Sequence, residues 1–102
     1  MVKLKVIKNS TFKDNRGFYW TTWKKGTLKN FKFNHDKFSI SKKKVLRGFH
    51  CDFKSWKLVT CTFGKVFFVV VDMKKKSKNY LKYKSWVLTH EKPTLILIPP
   101  HF

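Results

Sequence analysis

Phe63-Gly64-Lys65-Val66-Phe67-Phe68-Val69-Val70-Val71-Asp72 is the stretch on which the fold class turns. Val66 to Val71 is a continuous β-branched and aromatic run, the pattern of a strand buried on both faces, and it is the expected core strand. Phe63-Gly64-Lys65, set between two apolar runs, reads as a tight hairpin. Outward from this point the dominant period is two. Val2 to Ile7, Phe18 to Trp23, Phe31 to Ser41, Lys44 to Phe49, Lys57 to Phe63, Lys65 to Asp72, Leu81 to Leu88 and Thr94 to Ile98 are the expected strands. In the third of them Phe31, Phe33, His35, Lys37, Ser39 and Ser41 share a face. Turn signals separate the runs at Asp14-Asn15, Lys24-Lys25-Gly26, Lys42-Lys43, Gly64 and Lys74 to Asn79, and no segment carries a helical stripe. The expectation is an all-β sandwich or barrel of jelly-roll type.

The whole chain is 102 residues, which holds one domain over 1–102. Hydrophobic residues at 42% and aromatics at 18% are too many for a disordered polycation, so a folded core is expected despite a net charge of +19. No apolar run approaches the roughly 20 residues of a bilayer crossing, and Met1-Val2-Lys3-Leu4-Lys5 lacks a signal-peptide core. These features predict a soluble cytoplasmic protein without a membrane partner. Cys51 and Cys61 form no zinc or disulfide spacing, and the four histidines contain no H-x-H pair, so no metal site is expected.

The charge has two readings. Its lysines travel with abundant Phe and Asn, a mix that compositional bias toward AT-rich codons alone would produce. Interleaved lysines and aromatics also suit a nucleic-acid-binding surface. Arginine discriminates where lysine does not. Only Arg16 and Arg47 are arginine among 24 basic residues, which marks both as positions where a planar bidentate donor matters.

Catalytic chemistry gathers at Val45-Leu46-Arg47-Gly48-Phe49-His50. With Leu46 and Phe49 in the core, a kink at Gly48 would let Arg47 and His50 both reach one cavity. Lys57 opens the next expected strand, and antiparallel pairing would bring it near His50. A base beside a fixed cation suits proton abstraction next to a carbonyl, the cation stabilising the enolate oxygen. On spacing alone, a satisfied rim or core histidine is the commoner reading of His50.

Phe12-Lys13-Asp14-Asn15-Arg16-Gly17, Phe38-Ser39-Ile40-Ser41, Val45-Leu46-Arg47-Gly48-Phe49-His50, Lys57-Leu58-Val59-Thr60-Cys61, Gly64-Lys65-Val66, Val70-Val71-Asp72 and Ile98-Pro99-Pro100 follow one another in order. This ordered set resembles the dTDP-4-dehydrorhamnose 3,5-epimerases. The resemblance covers about Phe12 to Phe102 and implies an incomplete cupin-like jelly roll, a double-stranded β-helix. It implies a nucleotide-linked 4-keto sugar as substrate, a homodimer, and neither metal nor cofactor. His50 would be the base and Lys57 the enolate-stabilising cation. Arg47 would hold the diphosphate or sugar, and Arg16 would reach a nucleotide phosphate in a neighbouring subunit. His35 stands where a glutamine is common in the family, and Lys37 replaces a common asparagine, both near the sugar. Asp72 would either orient His50 or end its strand. Family members continue past the Ile-Pro-Pro segment to a tyrosine acid and a histidine-pairing aspartate, which have no counterparts here. Full epimerase activity is therefore not expected of the chain alone. A non-catalytic basic module binding nucleic acid or sugar nucleotide is the alternative.

Overall fold

Alternating apolar and polar side chains bury one face only when the backbone is pleated, so this chain forms strands rather than helices. The computed structural model describes residues 4–102. Among these residues the strands are β1 (Lys5–Lys8), β2 (Thr11–Asp14), β3 (Gly17–Trp20), β4 (Lys57–Val59), β5 (Lys65–Val71), β6 (Tyr83–Thr89) and β7 (Thr94–Ile98). Val2 and Lys3 of the first expected strand lie outside the described residues. The strands form three antiparallel groups, ordered β1-β7-β4, β2-β3 and β5-β6.

The centre of the core differs from expectation. β7, not β5, is buried on both faces: Leu95, Ile96, Leu97 and Ile98 are all buried. Ile96 and Ile98 pack with Cys61, Val70 and Leu88, against which Leu4, Val59, Phe68, Trp86 and Phe102 also rest. β7 has a ladder on each edge, to β1 and β4, so its backbone groups are satisfied without water and both faces can dry out. β5 pairs only with β6. Its Phe68 and Val70 face the core, while Phe67 on the opposite face is 69% exposed.

The hairpin expected at Gly64 is a corner instead. β4 is hydrogen-bonded to β7 and β5 to β6, so the chain changes sheets between Val59 and Lys65. Gly64 has φ 83°, which a side chain would strain. Its N–H donates to His90 Nδ1 at 2.9 Å, and Phe63 stacks on the same ring. His90 is thereby a structural acceptor. The true β5–β6 connection is the lysine-rich loop after Asp72. Phe31 to Ser41 and Lys44 to Phe49 belong to no strand. Thr11–Asp14, by contrast, forms the first arm of a hairpin whose turn is the Asp14-Asn15 signal. Asn9 ties this hairpin to the body, its Nδ2 donating to the Thr21 carbonyl at 2.8 Å and its backbone N–H to the Pro93 carbonyl at 3.1 Å.

Asp72 is the buried carboxylate at the end of β5. Oδ1 accepts from the Lys74 N–H at 2.9 Å and Oδ2 from the Ser77 hydroxyl at 2.6 Å. Ser77 Oγ in turn accepts from the Asn79 N–H at 3.0 Å, so one side chain organises the turn. Asp72→Ala would leave these donors without their acceptor and is expected to cost about 1–3 kcal/mol. Denaturant unfolding checks the value. An effect within about 0.5 kcal/mol, the range of ordinary surface substitutions, would contradict this role.

Candidate functional site

His35, Lys37, Arg47 and His50 lie on the chain between β3 and β4, and Lys57 opens β4. Lys57 is half-buried and sits opposite Ile98 on the core strand β7. The residue before it, Trp56, meets Phe31 edge-on at 4.9 Å between ring centroids, and Phe31 stacks on Phe33 at 5.9 Å. Trp23 closes this aromatic group against Phe33 at 5.2 Å. Stacked rings thus anchor the head of the segment carrying His35 and Lys37, both exposed, beside the start of β4.

The second approach runs from Ile40 to Asp52. A turn at Lys43-Lys44 is closed by the Val45 N–H donating to the Lys42 carbonyl at 3.3 Å. Across it, Arg47 Nε donates to Ser41 Oγ at 2.8 Å and one terminal nitrogen to the Ile40 carbonyl at 3.3 Å. Arg47 therefore uses the planar fork that lysine lacks, first of all to clamp its own loop. Gly48 has φ 130°, the backbone freedom expected for a kink between Arg47 and His50. Leu46 and Phe49 are not core residues, however: they are 94% and 78% exposed, because no sheet covers this loop. His50 is exposed as well.

The path from His50 to Lys57 is a turn rather than the expected strand pairing, since the ladder partner of β4 is β7. Asp52 Oδ1 accepts from the N–H groups of Lys54 and Ser55 at 2.8 and 3.0 Å. These backbone bonds hold its carboxyl below the usual carboxylate range, Lys54 first and Ser55 next, with a smaller pull from the Lys57 charge. The Asp52 carbonyl accepts from the His101 N–H at 2.9 Å, and the His101 carbonyl accepts from the Met73 N–H at 2.8 Å. His101 thus bridges the His50 segment to the end of β5, with Phe53 edge-on to its ring. No sequence signal announced this bridge.

Because the Asp52 pKa is depressed, its stabilisation is complete above the ordinary carboxylate range and is lost as pH falls through the folded value. Amide hydrogen exchange at Lys54 and Ser55, corrected for intrinsic rates, is therefore expected to accelerate on acidification below that range. Unchanged protection across the same interval would contradict the turn.

Arg16 and Asp72 lie on other elements, the β2–β3 hairpin and the end of β5. Arg16 is at the tip of the β2–β3 hairpin, where its NH2 meets Asp14 Oδ2 at 2.7 Å and its Nε the same oxygen at 3.2 Å. The guanidinium side bond, followed by the Arg16 backbone N–H, lowers the Asp14 carboxyl pKa. Phe12, Gly17, Phe18 and Tyr19 join this pair around an open depression of about 250 Å³. Both Asp72 carboxylate oxygens accept hydrogen bonds within the turn that follows β5. A second depression, about 650 Å³, runs along residues 25–32. Neither depression contains His50 or Lys57. Among the described residues no group of three or more His, Cys, Asp or Glu is arranged to hold a metal ion, and no helix is long and apolar enough to cross a membrane.

A family model described as dTDP-4-dehydrorhamnose 3,5-epimerase matches residues 1–102. The chain belongs to that family. A curated relative of the same description from Salmonella typhimurium is 32% identical over 95% of this chain and 57% of its own length. The relative from Neisseria gonorrhoeae is 33% identical over 97% of this chain and 32% of its own. In structure, the chain resembles an epimerase from Legionella pneumophila in complex with dTDP-4-keto-L-rhamnose, with a TM-score of 0.89 and 31% identity, covering 97% of this chain and 56% of that one. An epimerase from Bacillus anthracis shares the fold at a TM-score of 0.74 and 19% identity. The family fold is a cupin-like jelly roll, and this chain, all-β, spans little more than half of the Salmonella and Legionella proteins.

Proposed function

We propose that the chain provides the sugar-binding and proton-abstracting part of an epimerase acting on a nucleotide-linked 4-keto sugar. The supporting observation is the family match across 1–102, which includes Arg47, Gly48, His50 and Lys57. The imidazole of His50 takes the proton from the carbon next to the ketone. The electron pair left behind moves into an enolate, whose oxygen is stabilised by the Lys57 ammonium. Arg47 faces the diphosphate or sugar with the part of its guanidinium that does not clamp the loop. His35 and Lys37 line the sugar side, and Arg16, at its hairpin tip, reaches a nucleotide phosphate of a second copy in a cytoplasmic homodimer. Epimerisation is completed when a proton returns to the opposite face of the enolate.

Deuterium uptake tests the first half of this reaction by itself. The chain is incubated with a dTDP-4-keto-6-deoxy sugar in D2O, and the sugar is analysed by NMR. The expected result is protein-dependent exchange at the carbon flanking the ketone. No exchange above the protein-free rate, with the fold intact, would refute the proposal.

A further inference from the structure

The positive charge of this chain is not spread evenly. Lys74, Lys75, Lys76, Lys78, Lys82 and Lys84 put six of the 24 basic residues into one short stretch, which holds no acidic residue. All six are exposed. A compositional bias toward lysine accounts for the number of such residues and not for their gathering at one turn.

That turn is ordered by its own backbone. The Ser77 N–H donates to the Lys74 carbonyl at 2.9 Å, the Tyr80 N–H to the Ser77 carbonyl at 3.2 Å and the Lys82 N–H to the Asn79 carbonyl at 2.8 Å. Its ends are closed on each other by the Leu81 N–H, which donates to the Asp72 carbonyl at 2.7 Å, and the Asp72 N–H, which donates to the Lys82 carbonyl at 2.9 Å. Six like charges are thus folded onto the end of the β5–β6 hairpin, where Val71 pairs with Tyr83.

No carboxylate neutralises them among the described residues, whose one ion pair joins Arg16 to Asp14. Asp72 is buried, and its two oxygens accept from the Lys74 N–H and the Ser77 hydroxyl. Gathered ammonium groups repel one another and resist desolvation, so this end of the hairpin stays open to an outside anion whatever packs elsewhere. Two rings stand among the lysines: Tyr83 is 68% exposed and Tyr80 38%. Single-stranded nucleic acid matches both features, its phosphates meeting the ammonium groups and its bases stacking on the phenol rings. A membrane surface matches less well, because Leu81 is the one aliphatic side chain between Lys74 and Lys84 and the described residues form no amphipathic helix to insert.

From these observations we infer that the Lys74–Lys84 end of the β5–β6 hairpin is a binding surface for single-stranded nucleic acid. It shares no residue with the reaction proposed above, so the two are tested apart.

Fluorescence anisotropy with a labelled single strand of about 15 nucleotides reads the affinity. With six phosphates neutralised, the slope of log affinity against log salt is expected near about −4, a loss of about 300-fold between about 50 and 200 mM salt. The variant Lys74→Gln/Lys75→Gln/Lys76→Gln/Lys78→Gln keeps the backbone bonds of the turn and is expected to flatten the slope to about −1.4. The control Lys24→Gln/Lys25→Gln/Lys29→Gln/Lys32→Gln removes the same charge from another exposed loop and is expected to stay within about one unit of the parent slope. Tyr83→Ala is expected to weaken single-strand binding at least about fivefold, the loss of one stacked base, and to leave binding of the corresponding duplex unchanged. No binding at about 50 mM salt, equal effects of the two quadruple variants, or indifference to Tyr83→Ala would each overturn the inference. Tighter capture by phosphatidylserine-containing vesicles than by the oligonucleotide would overturn it as well and assign the turn to a membrane.

Discussion

His50→Asn lowers deuterium uptake at the sugar carbon by at least about 100-fold, the lower end of what a positioned general base contributes. Asparagine resembles the imidazole in size and keeps a polar edge, but it accepts no proton near neutral pH. His50 is exposed and lies outside every ladder, so the substitution removes no core contact and stability is expected to stay within about 0.5 kcal/mol. The measurement pairs the exchange rate with a thermal melt. Exchange within tenfold of the parent, with an unchanged melt, would remove His50 from the role of base. A large fall in melting temperature would instead make it the structural rim histidine that spacing alone favoured.

Ile96→Ala carries the largest expected effect on stability. Ile96 has no exposed surface and lies at the centre of the cluster with Cys61, Val70, Leu88 and Ile98. Truncation removes buried methyl groups and leaves a cavity, a change that costs about 2–5 kcal/mol. Domains of this size hold only about 5–15 kcal/mol in total. For a domain near 100 residues each kcal/mol is worth about 4–8 °C, so the midpoint is expected to fall by at least about 8 °C. Phe67→Ala is the control, since Phe67 is 69% exposed on the uncovered face of β5. A shift at Phe67 equal to that at Ile96 would mean that β5, as its apolar run first suggested, is the buried strand.

The misassignment of the core strand follows from what a hydrophobic run encodes. Val66 to Val71 and Leu95 to Ile98 are both continuous and apolar, and either pattern suits burial on two faces. A difference was visible: Thr94 to Pro100 contains no lysine, whereas β5 begins with one and β6 carries another at Lys84. Freedom from lysine does not suffice for burial, since Val45 to Phe53 also lacks lysine and carries the exposed Leu46 and Phe49.

The candidate site was legible in the same uneven way. Arginine scarcity singled out Arg16 and Arg47, and both guanidinium groups use fork geometry, on Asp14 and on Ser41 with Ile40. The kink at Gly48 was legible because only glycine accepts its backbone angle without strain. Two features were not. The approach of His50 to Lys57 by strand pairing was a wrong expectation, and the Asp52 turn with its tie to His101 takes its place. Backbone carbonyl and N–H make that tie, and these groups are the same at every non-proline residue, so no side chain advertises it.

Local order, then, was present in the one-dimensional chain: Thr94–Ile98 is a strand within its expected limits, β5 and β6 depart from theirs by one or two residues at an end, and the Asp14-Asn15 turn lies where composition put it. These features depend on neighbours a few positions apart. Partner choice does not. That β7 lies between β1 and β4, that Gly64 turns a corner between sheets, and that Phe38 to Phe49 has no ladder were decided only when distant strands competed for the same hydrogen-bonding edges. Which strand is dry on both faces depends on what lies above and below it, and that is a property of the assembled fold.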